Sequence, residues 1–576
     1  MSVVEIIQKI LKEQGFDGGA SSFKLSRNYE PREYCVQYGE SCLHFISRLC
    51  EEEGIYFYFD HAKDSHCLCF CDREGGPPIS GESALRYFQG SGQVADTAVI
   101  SRLQLHQTIN SNASAYCDWN FTKPKLDLNV EEKEPDTKKA PIPEGMNLEQ
   151  YRYPHLYQLR AEGTRYAKLQ LLRQLNFSRW IELDSDVSRF LPSYTFTVSS
   201  HNRNDINATW WTYSVQHRGE QPGVLEHEAP GGRGLQYHSF VAAIPEMTRY
   251  VPELAHPKKE VIGQQTAIVT GPEGEEIYPD EYGRVKVQFF WDREGKWDEK
   301  TTCWIRVSQG WAGTRYGGMA IPRIGHEVIV SFLKGDPDRP IITGRVYHEL
   351  NQVPYKLPDN KTRTVFKSMS TPGEDGESRG FNELRIEDKK GEEEIYLHAE
   401  KDVNTFVKND WKDHILHDAH RSVDNFTYIE TKGETHETLH GPRKTEIRAN
   451  DNLTVKASRH QSVEDKWLVK VGDEVHIKAG AKVVIDGGVD LTIKAGGAFV
   501  RLNPGGVTIV GAKVDINSGG SAASGTGAAP EAPGENIKTD AGMKPKANSS
   551  ALAQALRDAQ NNAQPLCSDC GAGGAS

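Results

Sequence analysis

Apolar positions in the last third of the chain recur at a fixed step of eight residues. Val407, Ile415, Val423, Thr431, Leu439, Ile447, Val455, Val463 and Val471 keep step, with Thr431 the one polar member. The register then slips. Val475, Val483, Leu491, Phe499 and Val507 make one further ladder, and Ile477, Ile485, Ile493, Arg501 and Ile509 make another. Each octad offers two or three apolar residues alternating with Lys, Asp, Glu, Thr and His, the pattern of a strand with one buried and one wet face. One octad cannot enclose a core. Glycine pairs such as Gly487-Gly488 and Gly496-Gly497 sit where the chain would turn a corner that a Cβ obstructs.

Strands of this length suit the sides of a triangular prism. If three chains wind together, each strand edge meets a neighbouring chain and no backbone edge stays open. About fourteen octads stacked at about 4.7 Å would make a shaft on the order of 65 Å long. A single-chain β-solenoid would show the same period. Calcium-binding nonapeptide repeats have a different period and a glycine–aspartate pattern that is missing here.

The earlier part of the chain follows other periods. "YGESCLHFISRLCEEEGIYFYFD" predicts a helix with Ser41 as N-cap and Gly54 as stop, placing Leu43, Ile46 and Cys50 on one face beside Phe45 and Leu49. A strand, Ile55 to Phe59, follows it. A second helix is predicted around Ala161 to Leu175, and aromatic alternation such as "TWWTYSVQH" returns to strand. Between 258 and 350, short alternating segments ("GRVKVQFFW", "CWIRVSQGW", "HEVIVSFL", "PIITGRVYH") separated by Gly, Pro and Asp predict a small closed barrel of OB type.

The predicted chain is therefore mainly β with an α+β N-terminal part. Its organisation is an α+β module over 1–245, an OB-fold barrel over 258–350, a connector over 351–403, an octad needle over 404–517 and a Gly/Ala/Ser-rich tail over 518–576. The needle is predicted as an intertwined trimeric triple-stranded β-helix. Its core comprises the ladder residues Val407 to Val471 together with Val475, Ile477, Val483, Ile485, Leu491, Ile493, Phe499, Val507 and Ile509. In the tail, "SSALAQALRDAQNNAQPLC" predicts a short helix capped by Ser549 or Ser550, with Leu552, Leu556 and Ala559 as one docking stripe too short to be stable alone.

Composition narrows the function. A net charge of -12 over 576 residues, with no Lys/Arg run, argues against nucleic acid as a partner. The opening "MSVVEIIQKILKEQGF" has no basic region followed by an apolar core, and no segment reaches membrane-spanning length. These features predict assembly in the cytoplasm without stable membrane insertion. Ten cysteines are too thinly spread to staple such a chain and read mostly as free thiols. Cys67, Cys69 and Cys71 would line one strand face as small hydrophobes. Cys567 and Cys570 form a C-x-x-C in the tail with no second pair or histidines nearby.

No H-E-x-x-H, G-x-S-x-G or phosphate loop is present. His414, His417 and His420 have three-residue spacing, but the octad register makes their segment strand and corner, so the imidazoles diverge. An ion on the axis of a trimer stays open as an alternative. His326 and Glu327 lie on a barrel strand, and Phe289, Phe290, Trp291, Trp304 and Trp311 read as core and interface. No catalytic, metal or cofactor site is predicted.

"YEPREYCVQYGESCLHFISRLCEEEGIYFYF", "GPEGEEIYPDEYGRVKVQFFWDREGKWDEKTTCWIRVSQGWAG", "PRIGHEVIVSFLKGDPDRPIITGRVYH" and "FNELRIEDKKGEEEIYLHAEKD" are long and specific blocks. Through them the chain resembles VgrG, the valine-glycine repeat spike family of type VI secretion systems. That family is similar in build to the fused baseplate hub and cell-puncturing spike of contractile phage tails. The resemblance covers roughly residues 1 to 517. It implies a homotrimer seated on a tube of haemolysin-coregulated protein, with a PAAR-repeat protein at the tip and effectors or effector adaptors as cargo, secreted or injected into a target cell. Family members usually carry further residues ahead of the point matching Met1, so the hub-like module is expected to lack its first part. The phage counterpart inserts a lysozyme domain between barrel and needle, whereas "NQVPYKLPDNKTRTVFKSMSTPGEDGESRG" is too short to hold one. A tail spike of a phage-like contractile device, or a spike with an unrecognised peptidoglycan hydrolase, are the alternatives.

Overall fold

The computed structural model describes residues 1–16, 18–90, 97–134, 146–155, 157–221, 236–372, 379–517, 519 and 521–534. Among the described residues, its contacts separate two units, 1–402 and 403–534.

The first unit opens with a helix, Val3–Glu13, that the sequence reading passed over. Ser2 and Glu5 close a reciprocal capping box at its start, satisfying two backbone donors that a helix leaves orphaned. Val3, Ile7, Ile10 and Leu11 recur at helical spacing and pack on Phe45, Ile46, Leu49 and Cys50 of the helix Cys42–Glu53. That second helix begins and ends where predicted. Ser41 accepts from the His44 amide, and Gly54 adopts φ 71°, ψ 29°, a left-handed stop that glycine takes without steric cost. Leu43 departs from the expected face: it is 67% exposed, because it lies in the first turn, ahead of the stretch that meets the core.

Three sheets complete the α+β module. Strands Ser21–Lys24, His66–Cys71 and Tyr56–His61 form one, and a six-stranded sheet runs from Ala84–Arg86 to Ile100–Gln107 through the long hairpin Thr209–Glu220/Gln236–Pro245. The third sheet, Val130–Lys133, Ala113–Tyr116 and Glu149–Arg152, lies beside the helix Arg160–Leu175. Cys69 and Cys71 are buried, with the Cys67 and Cys69 sulfurs 3.9 Å apart; every described cysteine is a free thiol.

The barrel follows from period-two alternation. Ala267 and Val269, Val285, Val287 and Phe289, and Val328, Val330 and Phe332 point into one core. The sheet order runs Lys286–Phe289, Gln265–Thr270, Glu327–Phe332, Pro340–Val346, Arg306–Val307. Its two ends meet through the Val285–Ile305 bridge, with N–H···O distances of 3.1 and 2.8 Å. Closure leaves no free edge. Of the aromatic residues assigned to this region, Phe289 is buried and Trp291 packs against the core. Phe290 and Trp311 are exposed.

A charged network joins module to barrel. Arg48, 1% exposed, pairs with Glu40 at 2.8 Å and Glu52 at 3.0 Å. Asp338 of the barrel accepts from the Val36 amide, 302 positions earlier, and from Lys258, both at 2.7 Å. Burial by itself would raise the Glu52 carboxyl; Arg32, Lys258 and Arg48 outweigh it and hold Glu52 at about 2, against an ordinary value of 4.5. A depressed carboxylate contributes stability that is complete above its unfolded value and is lost as pH falls through the folded one. Melting temperature should therefore drop between pH 4.5 and 2, with Glu52 supplying on the order of 2–3 kcal/mol of that dependence. Calorimetry of Glu52→Gln should show a flatter acid limb; an unchanged limb would place the titration elsewhere.

Candidate self-association surface

The octads of the second unit share one geometry. The backbone bends at residues 408–409 and at every eighth position to 480–481, and turns at 488–489, 496–497 and 504–505 keep the same step. Each member of the first ladder, from Val407 to Val471, immediately precedes a bend. The bends hold residues of many kinds, among them Asn409, Leu416, Asn425, Ala449 and Ala481. Glycine corners such as Gly433 and Gly441 are thus one solution among several, and a bend of this kind does not require the absence of a Cβ.

The bends also correct the expected register slip. The frame runs through Val471 unbroken, and Ala479 and Gly487 occupy the next ladder positions. What changes is the apolar load, which moves four and two residues ahead of the ladder position: Val475 and Ile477, Val483 and Ile485, Leu491 and Ile493. In an extended chain even offsets keep a side chain on the same face, so the apolar stripe continues. Trp411 and Trp467 hold the same position as Val475 and belong to the stripe, an aromatic contribution that the aliphatic ladders do not include.

This stripe is open in the single chain. Val407, Ile415, Val423, Leu439, Ile447, Val455, Val463 and Val471 are all between 44% and 57% exposed. Among the described residues, no strand pairing or backbone–backbone hydrogen bond ties 403–486 to another segment, Tyr428 and Glu430 apart. Among the described residues of the second unit, strand pairing begins beyond Gly487. Leu491–Ala495, Ala498–Asn503 and Gly506–Val510 form an antiparallel meander, with Ile493 opposite Val500 and Leu502 opposite Val507. Gly496 and Gly506, at φ 55° and 121°, permit the tight turns. The expectation that 491–509 forms prism sides like its neighbours therefore differs from the single chain, where glycine turns let adjacent octads serve as each other's partners.

A second apolar face lies in the first unit. Strands Arg363–Lys367, Glu383–Glu387 and Glu394–His398 place Phe366, Leu384 and Leu397 directly opposite one another, and Ile395 lies on the same side. Phe366, Ile395 and Leu397 are exposed. The reverse side is bound by ion pairs, Arg363–Glu387 at 2.8 Å, Lys367–Glu383 at 3.4 Å and Arg385–Glu394 at 2.8 Å. One face is thus satisfied within the chain and the other is apolar and open.

The chemical candidates are dispersed. His414, His417 and His420 are exposed, a bend separates the first from the last, and His417 lies 3.0 Å from the Asp418 carboxylate. Among the described residues no group of three or more His, Cys, Asp or Glu is placed to hold a metal ion. In the barrel, burial followed by Arg345 and Arg323 lowers the pKa of His326. The docking stripe Leu552, Leu556 and Ala559, and the pair Cys567 and Cys570, lie outside the described residues.

Comparison with known proteins matches three stretches of the chain. Residues 1–223 match the family described as phage tail baseplate hub, 265–347 the type VI secretion system/phage-baseplate injector OB domain, and 364–479 the bacteriophage T4 gp5 C-terminal trimerisation domain. The chain is 41% identical over 567 residues to the type VI secretion system spike protein VgrG5 of Pseudomonas aeruginosa, covering 97% of this chain and 70% of that protein. It is 42% identical over 439 residues to spike protein VgrG4b of the same organism, covering 75% and 53%. It is 37% identical over 560 residues to the actin cross-linking toxin VgrG1 of Vibrio cholerae, covering 92% and 46%. The chain thus spans about half the length of VgrG4b and of the toxin.

Burying Ile447 against two further copies should be worth about 1 kcal/mol per chain, since half of the side chain is already covered. Ile447→Asp would instead place three carboxylates near one axis at several kcal/mol per ion. Light scattering should find the native chain trimeric and the variant monomeric, with Ile447→Leu still trimeric. A trimer of the aspartate variant at normal yield would put this side chain in solvent.

Proposed function

This chain belongs to the VgrG family of type VI secretion system spike proteins, and from that premise we propose that it acts as a homotrimeric puncturing spike carrying a tip protein and effectors through a target-cell envelope. The observation that carries the reading is the run of octads over 403–486, whose backbone, Tyr428 and Glu430 apart, pairs with no strand among the described residues and whose apolar ladder is half exposed. Three such chains satisfy one another's edges, and the product is a shaft held by hydrogen bonds along its length, suited to transmitting axial force. A haemolysin-coregulated tube protein below, a PAAR-repeat protein at the tip and effectors or their adaptors are the partners this role requires. The chain would be assembled in the cytoplasm and then injected. Among the described residues no helix is long and apolar enough to cross a membrane.

The role needs no chemistry from the spike itself. Actin cross-linking is named for the Vibrio relative, of which this chain spans 46%. The described part of 351–403 contributes one three-stranded sheet, and the barrel interior is filled by Val, Ile, Ala and Phe side chains. All three matching family descriptions name phage parts, which favours a phage-like contractile device as second reading. Neighbouring genes for sheath and tube, against capsid and portal, separate the two.

The test is made in a secreting donor strain carrying either native or Ile447→Asp chain. The variant should abolish release of the tube protein and delivery of every cargo, and undiminished release would overturn the role. Deleting residues 549–576 should leave trimer and tube release intact and lose at least one cargo. Full delivery by the truncated chain would remove the tail from the account.

A further inference from the structure

A cleft with about 530 Å³ of room is lined by Tyr151, Arg152, Tyr153, Pro154, His155 and Lys334. It brings the end of the strand Glu149–Arg152 to the barrel turn Leu333–Gly335. In a chain of net charge -12 its charge balance is reversed. Neither Arg152 nor Lys334 has an ion-pair partner among the described residues. Arg173 adds a third cation nearby: its guanidinium donates to the carbonyls of Pro252 at 2.7 Å and Glu51 at 2.8 Å, and to the Gln170 amide oxygen at 2.7 Å, with the Glu51 and Glu253 carboxylates acting on it without a direct ion pair. All three cations act on one imidazole. Burial, then Arg152, and with less weight Arg173 and Lys334, hold His155 down at about 4 against the opposing pull of Glu52. The ring is therefore neutral at pH 7, and it stacks on Tyr116 at 4.1 Å.

Positive charge gathered at a cleft, with Arg152 and Lys334 in no direct ion pair, favours the arrival of an anion. We propose that this cleft binds a carboxylate-bearing peptide segment of a partner protein. Arg152 supplies a planar fork matched to a carboxylate and Lys334 a movable point charge. Tyr151 and Tyr153, each 58% exposed, offer apolar ring faces for an aliphatic stem and hydroxyls at the rim. A neutral His155 provides a hydrogen-bonding group without further charge, which suits a singly charged carboxylate better than a phosphate dianion. The room accommodates a few side chains and not a folded domain. This inference does not rest on the spike reading.

The experiment measures fluorescence anisotropy of a labelled, end-blocked tetraglutamate peptide against the full-length chain, with tetraglutamine as control. Saturable binding of the glutamate peptide alone is expected, weakened at least tenfold in Arg152→Gln and in Lys334→Gln at unchanged circular dichroism. Should Arg152→Gln fail to fold, Lys334→Gln alone decides. Inorganic phosphate should displace the peptide no better than chloride at equal ionic strength; selective displacement by phosphate would overturn the carboxylate assignment. Absence of saturable binding, equal binding of tetraglutamine, or native affinity in both folded variants would overturn the proposal outright.

Discussion

Every extended residue carries a backbone donor and acceptor, and a strand edge that has neither neighbour nor water is expensive. The octad region turns that constraint into an assembly rule. Its bends recur every eight residues from 408 to 504, and they leave straight runs of six residues too short and too narrow to build a core alone. Among the described residues of 403–486, Tyr428 and Glu430 apart, the half-exposed ladder and a backbone in no strand pairing fall together, so one event, the arrival of further copies, relieves both. The match of 364–479 to a trimerisation domain accords with that need.

The barrel solves the same problem within one chain. Its sheet curls until Val285 and Ile305 exchange hydrogen bonds, after which no edge seeks a partner and the core is dry. The contrast explains why the two regions read so differently in composition: the barrel encloses its apolar residues, whereas the octads display theirs. The sheet around Phe366, Leu384 and Leu397 is intermediate, with one face tied by ion pairs and the other left apolar.

Much of this was legible in the chain. The step of eight, the Ser41 and Gly54 caps and the alternation of the barrel strands are local patterns, and each is set by periodicity or by a residue's own backbone preference. What escaped was long-range or positional. Nothing near Val36 announces that its amide donates to Asp338, 302 positions away, and a buried Arg48 inside a helix reads as surface until Glu40 and Glu52 are seen around it. The helix Val3–Glu13 lies outside the predicted elements because an apolar run at the start of a chain also fits the core of a leader. The apparent slip after Val471 came from following hydrophobic identity instead of the bends, which residues such as Ala479 and Gly487 mark only weakly.

The central claim is that the backbone of 403–486 acquires its hydrogen-bond partners from other copies of the chain. Hydrogen exchange read by mass spectrometry on the assembled full-length protein, and again after dilution or mild denaturant has separated the copies, addresses it amide by amide. Strong protection across 403–486 in the assembly, lost together with the trimer while the barrel strands stay protected, is the predicted result. Rapid exchange of the octads in an intact trimer, or protection that persists in the monomer, would contradict it.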